Sequence, residues 1–142
     1  PVVALTGSNG KTTTKELINA ALKQRFKTIA TIGNLNNHIG VPLTLLSMNA
    51  DTEVGVVEMG ANHANEIALL CSIAKPNVGY ITNFGKAHLE GFGSEQGVVV
   101  AKSELYDYLK ANKGLIIMNS DDAKQEKQVG RYSNTFSFSE YF

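Results

Sequence analysis

The sequence predicts an α/β fold: a phosphate-loop-containing, mainly parallel sheet with helices on both faces. Three observations carry this. Short β-branched runs alternate with helical patterns along the whole chain, and such alternation builds βαβ units with right-handed crossovers. No internal repeat or low-complexity linker interrupts it. The conspicuous polar clusters fall at the carboxyl ends of the strands, where ligands gather in sheets of this type. With 142 residues, 43% of them hydrophobic, the chain has the size of one ordinary domain and can bury a core.

Residues 2–6 read as a buried strand. Residues 13–26 follow as a helix that places Leu17, Ile18, Ala21 and Leu22 on one face. A short strand is expected over 28–31, then a polar loop, Gly33-Asn34-Leu35-Asn36-Asn37-His38. Pro42 suits the first turn of a short helix. Residues 54–59 form the third strand, and Asn65 is placed to cap a helix carrying Ile67, Leu70 and Ile73. The fourth strand covers 78–81, with a glycine-rich loop running on to Gly93. Ser94 is placed to cap the longest helix, which reaches about Lys110. Residues 114–118 and 135–138 supply the fifth and sixth strands.

Charge is balanced, 13 basic residues against 13 acidic, so no global field draws the chain to nucleic acid or an anionic membrane. The tyrosines and phenylalanines show no stacking pattern for nucleic acid either. A local anion site needs no net charge, because a few backbone amides can hold a phosphate. A single cysteine, Cys71, cannot form an internal disulfide, which fits a reducing compartment and a small buried apolar role. No apolar run approaches the roughly 20 residues that span a bilayer, and the opening residues lack the basic flank of a signal peptide. The chain opens on a strand and stops at Tyr141-Phe142 without a clear closing element, so a piece of a longer protein is expected.

The sharpest chemical signal is Thr6-Gly7-Ser8-Asn9-Gly10-Lys11-Thr12, between an apolar strand and a helix. Glycines let the backbone curl so that successive amides point at phosphate oxygens, and the helix that starts there adds its positive end. Lys11 is expected to reach the outer phosphates, and the Thr12 hydroxyl to bind the magnesium that accompanies them. The usual spacing would put a first glycine at Leu5; here the first is Gly7, so the loop is a variant. It implies a nucleoside triphosphate and no particular reaction, since kinases, switches and ligases all use such loops.

Other polar residues stand where packing alone does not want them. Glu58 ends an otherwise apolar strand, where a carboxylate needs a cation to meet it. Lys102 falls within the apolar arc formed by Val98, Ala101, Leu105 and Leu109, so it either snorkels outward or is held at a site. Asn36, Asn37 and His38 suit either a turn that bonds its own backbone or a binding loop. Asn119-Ser120-Asp121-Asp122, after the fifth strand, either lines the nucleotide site or caps a turn.

Four further segments accompany the phosphate loop: GNLNNHIGVP at 33–42, EMGANH at 58–63, TNFGKAHLEGFG at 82–93, and Ala101-Lys102. Together and in this order they resemble the Mur ligases, over nearly the whole chain. The forms GNLNN, MGANH and AHLEGFGS look most like the member that joins D-alanyl-D-alanine to UDP-N-acetylmuramoyl-tripeptide. Folylpolyglutamate synthetase shares the architecture, but a different segment is expected where GNLNNHIGVP stands. The resemblance implies the ATP-binding central domain (residues 1–142, truncated) of a three-domain cytoplasmic enzyme, without its flanking UDP-sugar-binding and carboxyl-terminal domains.

The resemblance also assigns residues. Gly7, Ser8, Asn9, Gly10, Lys11, Thr12, Thr13 and Asn83 would contact ATP. Thr12, Glu58, His88 and Lys102 would hold magnesium. In Mur ligases the lysine at the place of Lys102 is often carbamylated, which turns a cation into a carboxylate-like ligand. Lys11, His88 and Lys102 would be catalytic, and Asn36, Asn37 and His38 would face the small-molecule substrates. Asn62 and His63 would shape the same cleft. Competing expectations are another Mur-like amino-acid ligase and a non-enzymatic nucleotide switch.

Overall fold

The molecule is described from a computed structural model that covers residues 1–86 and 89–140. Its strands are β1 (Val2–Thr6), β2 (Thr28–Ala30), β3 (Val54–Glu58), β4 (Val78–Ile81), β5 (Leu115–Asn119) and β6 (Thr135–Phe138). They form one sheet in the order β2-β3-β1-β4-β5-β6, and every pairing is parallel. The helices are α1 (Lys11–Leu22), α2 (Gly40–Leu46), α3 (Glu66–Ala74), α4 (Leu89–Phe92), α5 (Glu95–Ala111) and α6 (Ala123–Val129). The expected α/β class and all six strands are present, with bounds shifted by a residue or so.

Register decides where a site can form. Leu5 of β1 stands opposite Glu58 of β3, and Thr6 stands opposite Ile81 of β4. The chain therefore leaves three adjacent strands at one rim, and the segments after β1, β3 and β4 meet there.

The two faces are covered unequally. Residue alternation along β4 sends Gly79 under α5, where an added Cβ would sit 2.5 Å from Leu109 Cδ1. Its neighbours Val78 and Tyr80 turn the other way, toward α1, and help line an apolar cleft with Ile18, Leu22, Ile117 and Phe138. Helices α2, α3, α5 and α6 pack side by side on the first face, while α1 packs on β1, β2 and β3 from the second. The core centres on the first face, around Ile67, Leu70, Leu105, Tyr106, Leu109 and Ile116.

Several local expectations change. Helix α1 covers 11–22 rather than 13–26, because the phosphate loop leads straight into it. Its inward face carries Lys15, Ile18, Asn19 and Leu22, and Leu17 is 67% exposed. Asn65 flanks α3, but its side chain caps nothing. Glu104 of α5 does so instead, accepting from Asn65 N at 2.8 Å and Ala68 N at 2.9 Å. Ser94 caps α5 as expected, accepting from Gly97 N at 3.0 Å. Helix α4 arises within the stretch read as a glycine-rich loop, and α6 in a stretch for which the sequence suggested no element.

Cys71 is buried with its Sγ 3.9 Å from Met59 Sδ, and burial pushes the thiol up to about 12. It is inert packing. Among the described residues no helix is long and apolar enough to cross a membrane.

Candidate active site

The loop after β1 is tied to the end of β4 by hydrogen bonds that use backbone and side chain together. Ser8 N donates to Asn83 O at 3.2 Å, and Asn9 N donates to Asn83 Oδ1 at 3.1 Å. Asn83 Nδ2 and Thr82 Oγ1 both return a bond to Asn9 O, at 3.2 and 2.6 Å. Gly85 N donates to Ser8 Oγ at 2.8 Å. Asn83 is thus a clamp on the loop, whose own carboxamide is largely consumed.

Gly7 makes this closeness possible. Its φ is +144°, and an added Cβ would lie 1.8 Å from Thr82 Oγ1. Gly10, at φ 79°, turns the chain into α1 with no side-chain cap, so the first-turn amides are left for an anion. Gly7→Ala is expected to destabilise the fold by about 2–4 kcal/mol, through both strain and overpacking. Chemical denaturation measures it, and an unchanged midpoint would mean that the loop is free to shift.

Around this loop four side chains converge, those of Lys11, Thr12, Glu58 and Asn36. Lys11 Nζ donates to Gly7 O at 2.9 Å, within the loop it flanks. Burial lowers its pKa, and the Glu58 carboxylate pulls it back up. Thr12 Oγ1 lies 3.2 Å from both Glu58 oxygens. Asn36 Nδ2 donates to Glu58 Oε1 at 3.2 Å. Glu58 is 1% exposed, and among the described residues it enters no salt bridge. Its direct partners are a hydroxyl and a carboxamide, with Lys11 acting only through its field, and a buried carboxylate so placed suits a further cation.

A hydroxyl and a carboxylate are oxygen donors, which fit magnesium in chemistry. Among the described residues no group of three acidic, histidine or cysteine side chains could hold a metal. Magnesium does not need one, because it commonly takes one or two protein ligands and completes its shell with phosphate and water. A cavity of about 180 Å³ opens beside these groups, lined by Lys11, Asn36, Asn37, Gly60, Asn62 and Glu66.

Lys102, on α5, is 1% exposed and therefore does not snorkel. Its Nζ lies 5.6 Å from the centroid of the Phe92 ring. Burial lowers its pKa to about 8, Lys11 adds to the lowering, and Glu66 opposes it. Lys102 thus belongs to the electrostatic neighbourhood of Lys11 and Glu66.

Residues 5–141 match the Mur ligase middle domain. The chain belongs to the Mur ligase family. It is 50% identical over 121 residues to UDP-N-acetylmuramoyl-tripeptide–D-alanyl-D-alanine ligase of Escherichia coli, covering 85% of this chain and 26% of that protein. The Bacillus subtilis ligase of the same name is 44% identical over 124 residues, with 87% and 27% covered. MurF ligase from Thermotoga maritima, solved in complex with ADP, superposes with a TM-score of 0.88 at 40% identity, covering 99% of this chain and 33% of that one. The chain thus spans about a quarter to a third of the length of these relatives.

Within this Mur ligase domain the residues singled out from sequence part company. Lys11, Thr12, Glu58 and Asn36 come together. Asn37 lines the cavity but spends its Oδ1 on capping α2, accepting from Ile39 N at 3.0 Å and Gly40 N at 2.8 Å. His38 is exposed and has no part in that cavity. Asn62 lines it, and His63 lies in an adjoining hollow with Leu89 and Glu90. His88 lies outside the described residues. Asp122 caps α6, accepting from Lys124 N at 2.9 Å and Gln125 N at 3.3 Å. It also lines a hollow with Asn83, Asn119 and Asp121, so the 119–122 turn both caps and lines.

Sequence reasoning missed three residues. Glu66 accepts from Asn62 N and His63 N and so shapes the cavity wall. Gln125 is fully buried, receives Tyr106 Oη and Asn119 N, and donates to Ile81 O at 3.0 Å, which fixes the end of β4. Lys15 is fully buried beneath the loop that delivers Asn36. Its sequence signal was a lysine one helical turn after Lys11.

Proposed function

We propose that this domain binds ATP with magnesium for an enzyme that joins D-alanyl-D-alanine to UDP-N-acetylmuramoyl-tripeptide, a cytoplasmic step of peptidoglycan precursor synthesis. The convergence of Lys11, Thr12 and Glu58 on the loop after β1 carries it. The curated ligases named above support the choice of substrates. The whole enzyme would add a UDP-sugar-binding domain and a carboxyl-terminal domain.

The reaction has two steps. The tripeptide carboxylate attacks the γ-phosphorus of ATP, the bond to the bridging oxygen breaks, and ADP leaves. The amine of D-alanyl-D-alanine then attacks the resulting acyl phosphate, a C–N bond forms, and phosphate departs as the amine loses a proton. Bringing two anions together is the obstacle, so fixed positive charge is the main requirement. Thr12 and Glu58 would hold magnesium, whose positive charge would offset the negative charge of the phosphates. Lys11 would exchange the Gly7 carbonyl for the outer phosphate oxygens. The open amides at the start of α1, with Gly7, Ser8, Asn9, Gly10 and Thr13 around them, would cradle the remaining oxygens. Asn83 would keep the loop in register, while Asn36, with Asn37 and His38 beyond it, would stand toward the acceptor. His88 and a carbamylated Lys102 would complete a second metal position.

Phosphate release by the full-length enzyme tests this. Release is expected only when ATP, D-alanyl-D-alanine and UDP-N-acetylmuramoyl-tripeptide are all present. Release with a folate or amino-acid acceptor instead would transfer the chain to another ligase branch, and acceptor-independent, nucleotide-gated partner binding would indicate a switch. The isolated domain is expected to bind ADP without ligating, because alignment of the reactants needs the missing domains. Turnover comparable to the intact enzyme would overturn that requirement.

A further inference from the structure

Lys15 has the environment of a working group, yet it touches neither the phosphate loop nor the cavity. It is fully buried on the inward face of α1. Its Nζ donates to Thr31 O at 2.6 Å and Gly33 O at 2.8 Å, and pairs with Glu16 Oε1 at 2.8 Å. An ammonium has three donors, and all three are used.

What those carbonyls belong to gives the contact its meaning. Thr31 follows β2, and its hydroxyl accepts from Glu58 N at 2.9 Å. Gly33 opens the loop whose Asn36 reaches Glu58 Oε1 at 3.2 Å. Asn36 O in turn accepts from Gly60 N at 2.8 Å. Thr31 N still donates to Val56 O at 3.0 Å, but the Thr31 and Gly33 carbonyls lie past the end of β2 and take their donor from Lys15. An apolar residue would fill the space beneath them but could not fix their direction. Lys15 stands on the same helix as Lys11 and Thr12, one turn further on. One rigid element therefore carries the phosphate-side groups and grips the loop that carries Asn36.

We infer that Lys15 is a positioning residue: its ammonium docks the 31–36 segment onto α1, so that Asn36 and Glu58 meet Thr12 in fixed geometry. Phosphate-side and acceptor-side groups then share one frame. This rests on the ligase activity proposed above. Lys15 does not contact nucleotide, so its loss disturbs the placing of the acceptor more than the binding of ADP.

Lys15→Met and Lys15→Gln in the full-length enzyme test it, with the exposed Glu16→Gln as a control. For whichever variants fold, turnover on the three substrates is expected to fall by up to about 100-fold, as misplacement of reacting groups commonly does. The acceptor KM is expected to rise, while the Kd for ADP changes by less than about threefold, below the cost of losing a direct charged contact. Amide hydrogen exchange at Asn36 and Gly60 is expected to quicken by about tenfold or more, as loss of the docking bonds implies. That readout needs no substrate, so it separates the docking role from the ligase assignment: an inactive wild-type enzyme would speak against the latter only. Unchanged exchange at Asn36 and Gly60 overturns the docking role. So does an ADP affinity that falls in step with turnover, since Lys15 would then be acting through general stability. If neither Lys15→Met nor Lys15→Gln folds, Lys15 is a folding residue and the positioning role is overturned.

Discussion

Lys11→Ala is expected to weaken ADP binding by about 10- to 100-fold, the value of one charge-assisted hydrogen bond of roughly 1.5–3 kcal/mol. The Lys11 ammonium rests on the Gly7 carbonyl, 2.9 Å away. That bond is local and half-buried, and a phosphate oxygen offers the same donor a full negative charge. Removing the side chain therefore costs the loop little and the bound state much. The fold should survive, because Lys11 is the first residue of α1 and is not part of the core. Turnover in the full-length enzyme should fall further, by roughly 10²–10³, because charge on the transferring phosphoryl group grows in the transition state. Calorimetric titration with ADP and magnesium gives the affinity, and thermal denaturation verifies the fold. A folded variant with unchanged affinity would remove the phosphate-loop assignment, and with it the role of Thr12 and Glu58.

How much of this was legible before the structure follows from the range of each interaction. The phosphate loop was legible because its logic is local: strand, glycines, lysine, helix. Strands such as β3 were legible because buried parallel strands are short apolar runs between breakers, whereas β6, Thr-Phe-Ser-Phe, is largely exposed and showed itself only by a short run of strand-forming residues. Ser94 was legible as a cap because its partner, Gly97, is three residues away. The cap of α3 was not, because Glu104 reaches it from another helix. Gln125 and Lys15 were hidden for the same reason, as their partners lie across the sheet or beyond the next strand. Leu17 shows the opposite error. It belongs to an apolar pattern on paper, yet the face that α1 turns to the sheet is set by Lys15, and Leu17 points outward. Periodicity ranks residues by polarity, whereas the fold used a charged one inside. At the site itself, residue types pointed to Asn36 and Asn37 equally. The geometry separates them, because one carboxamide meets Glu58 and the other is spent on the start of α2.

Lys102→Ala is expected to abolish ligation by the full-length enzyme, and a small carboxylic acid such as acetate to restore part of it. Lys102 is buried at 1% exposure, beside the Phe92 ring and in the field of Lys11. Burial is the chief reason its pKa falls to about 8. The neutral amine is the form that attacks carbon dioxide: the nitrogen bonds to the carbon, a proton leaves, and a carbamate results whose single negative charge is shared by two oxygens. Such oxygens suit magnesium, which an ammonium repels. The same lowering sets a stability signature in the uncarbamylated chain. Between the folded value of about 8 and an unfolded value of about 10.4, the unfolded state binds more protons at this residue. Stability therefore rises with pH across that window, and below it the cost of the buried charge is fully present. Denaturation at several pH values should show the stability of wild type rising relative to Lys102→Met across this window, since the opposite contribution of the buried Cys71 thiol is common to both. Lys102→Arg decides between charge and carbamate, because arginine keeps the positive charge and cannot become an anion. It is expected to be as inactive as Lys102→Ala. An arginine variant with near-normal turnover would mean that Lys102 serves only as a fixed positive charge, and the carbamate would have no place in the mechanism.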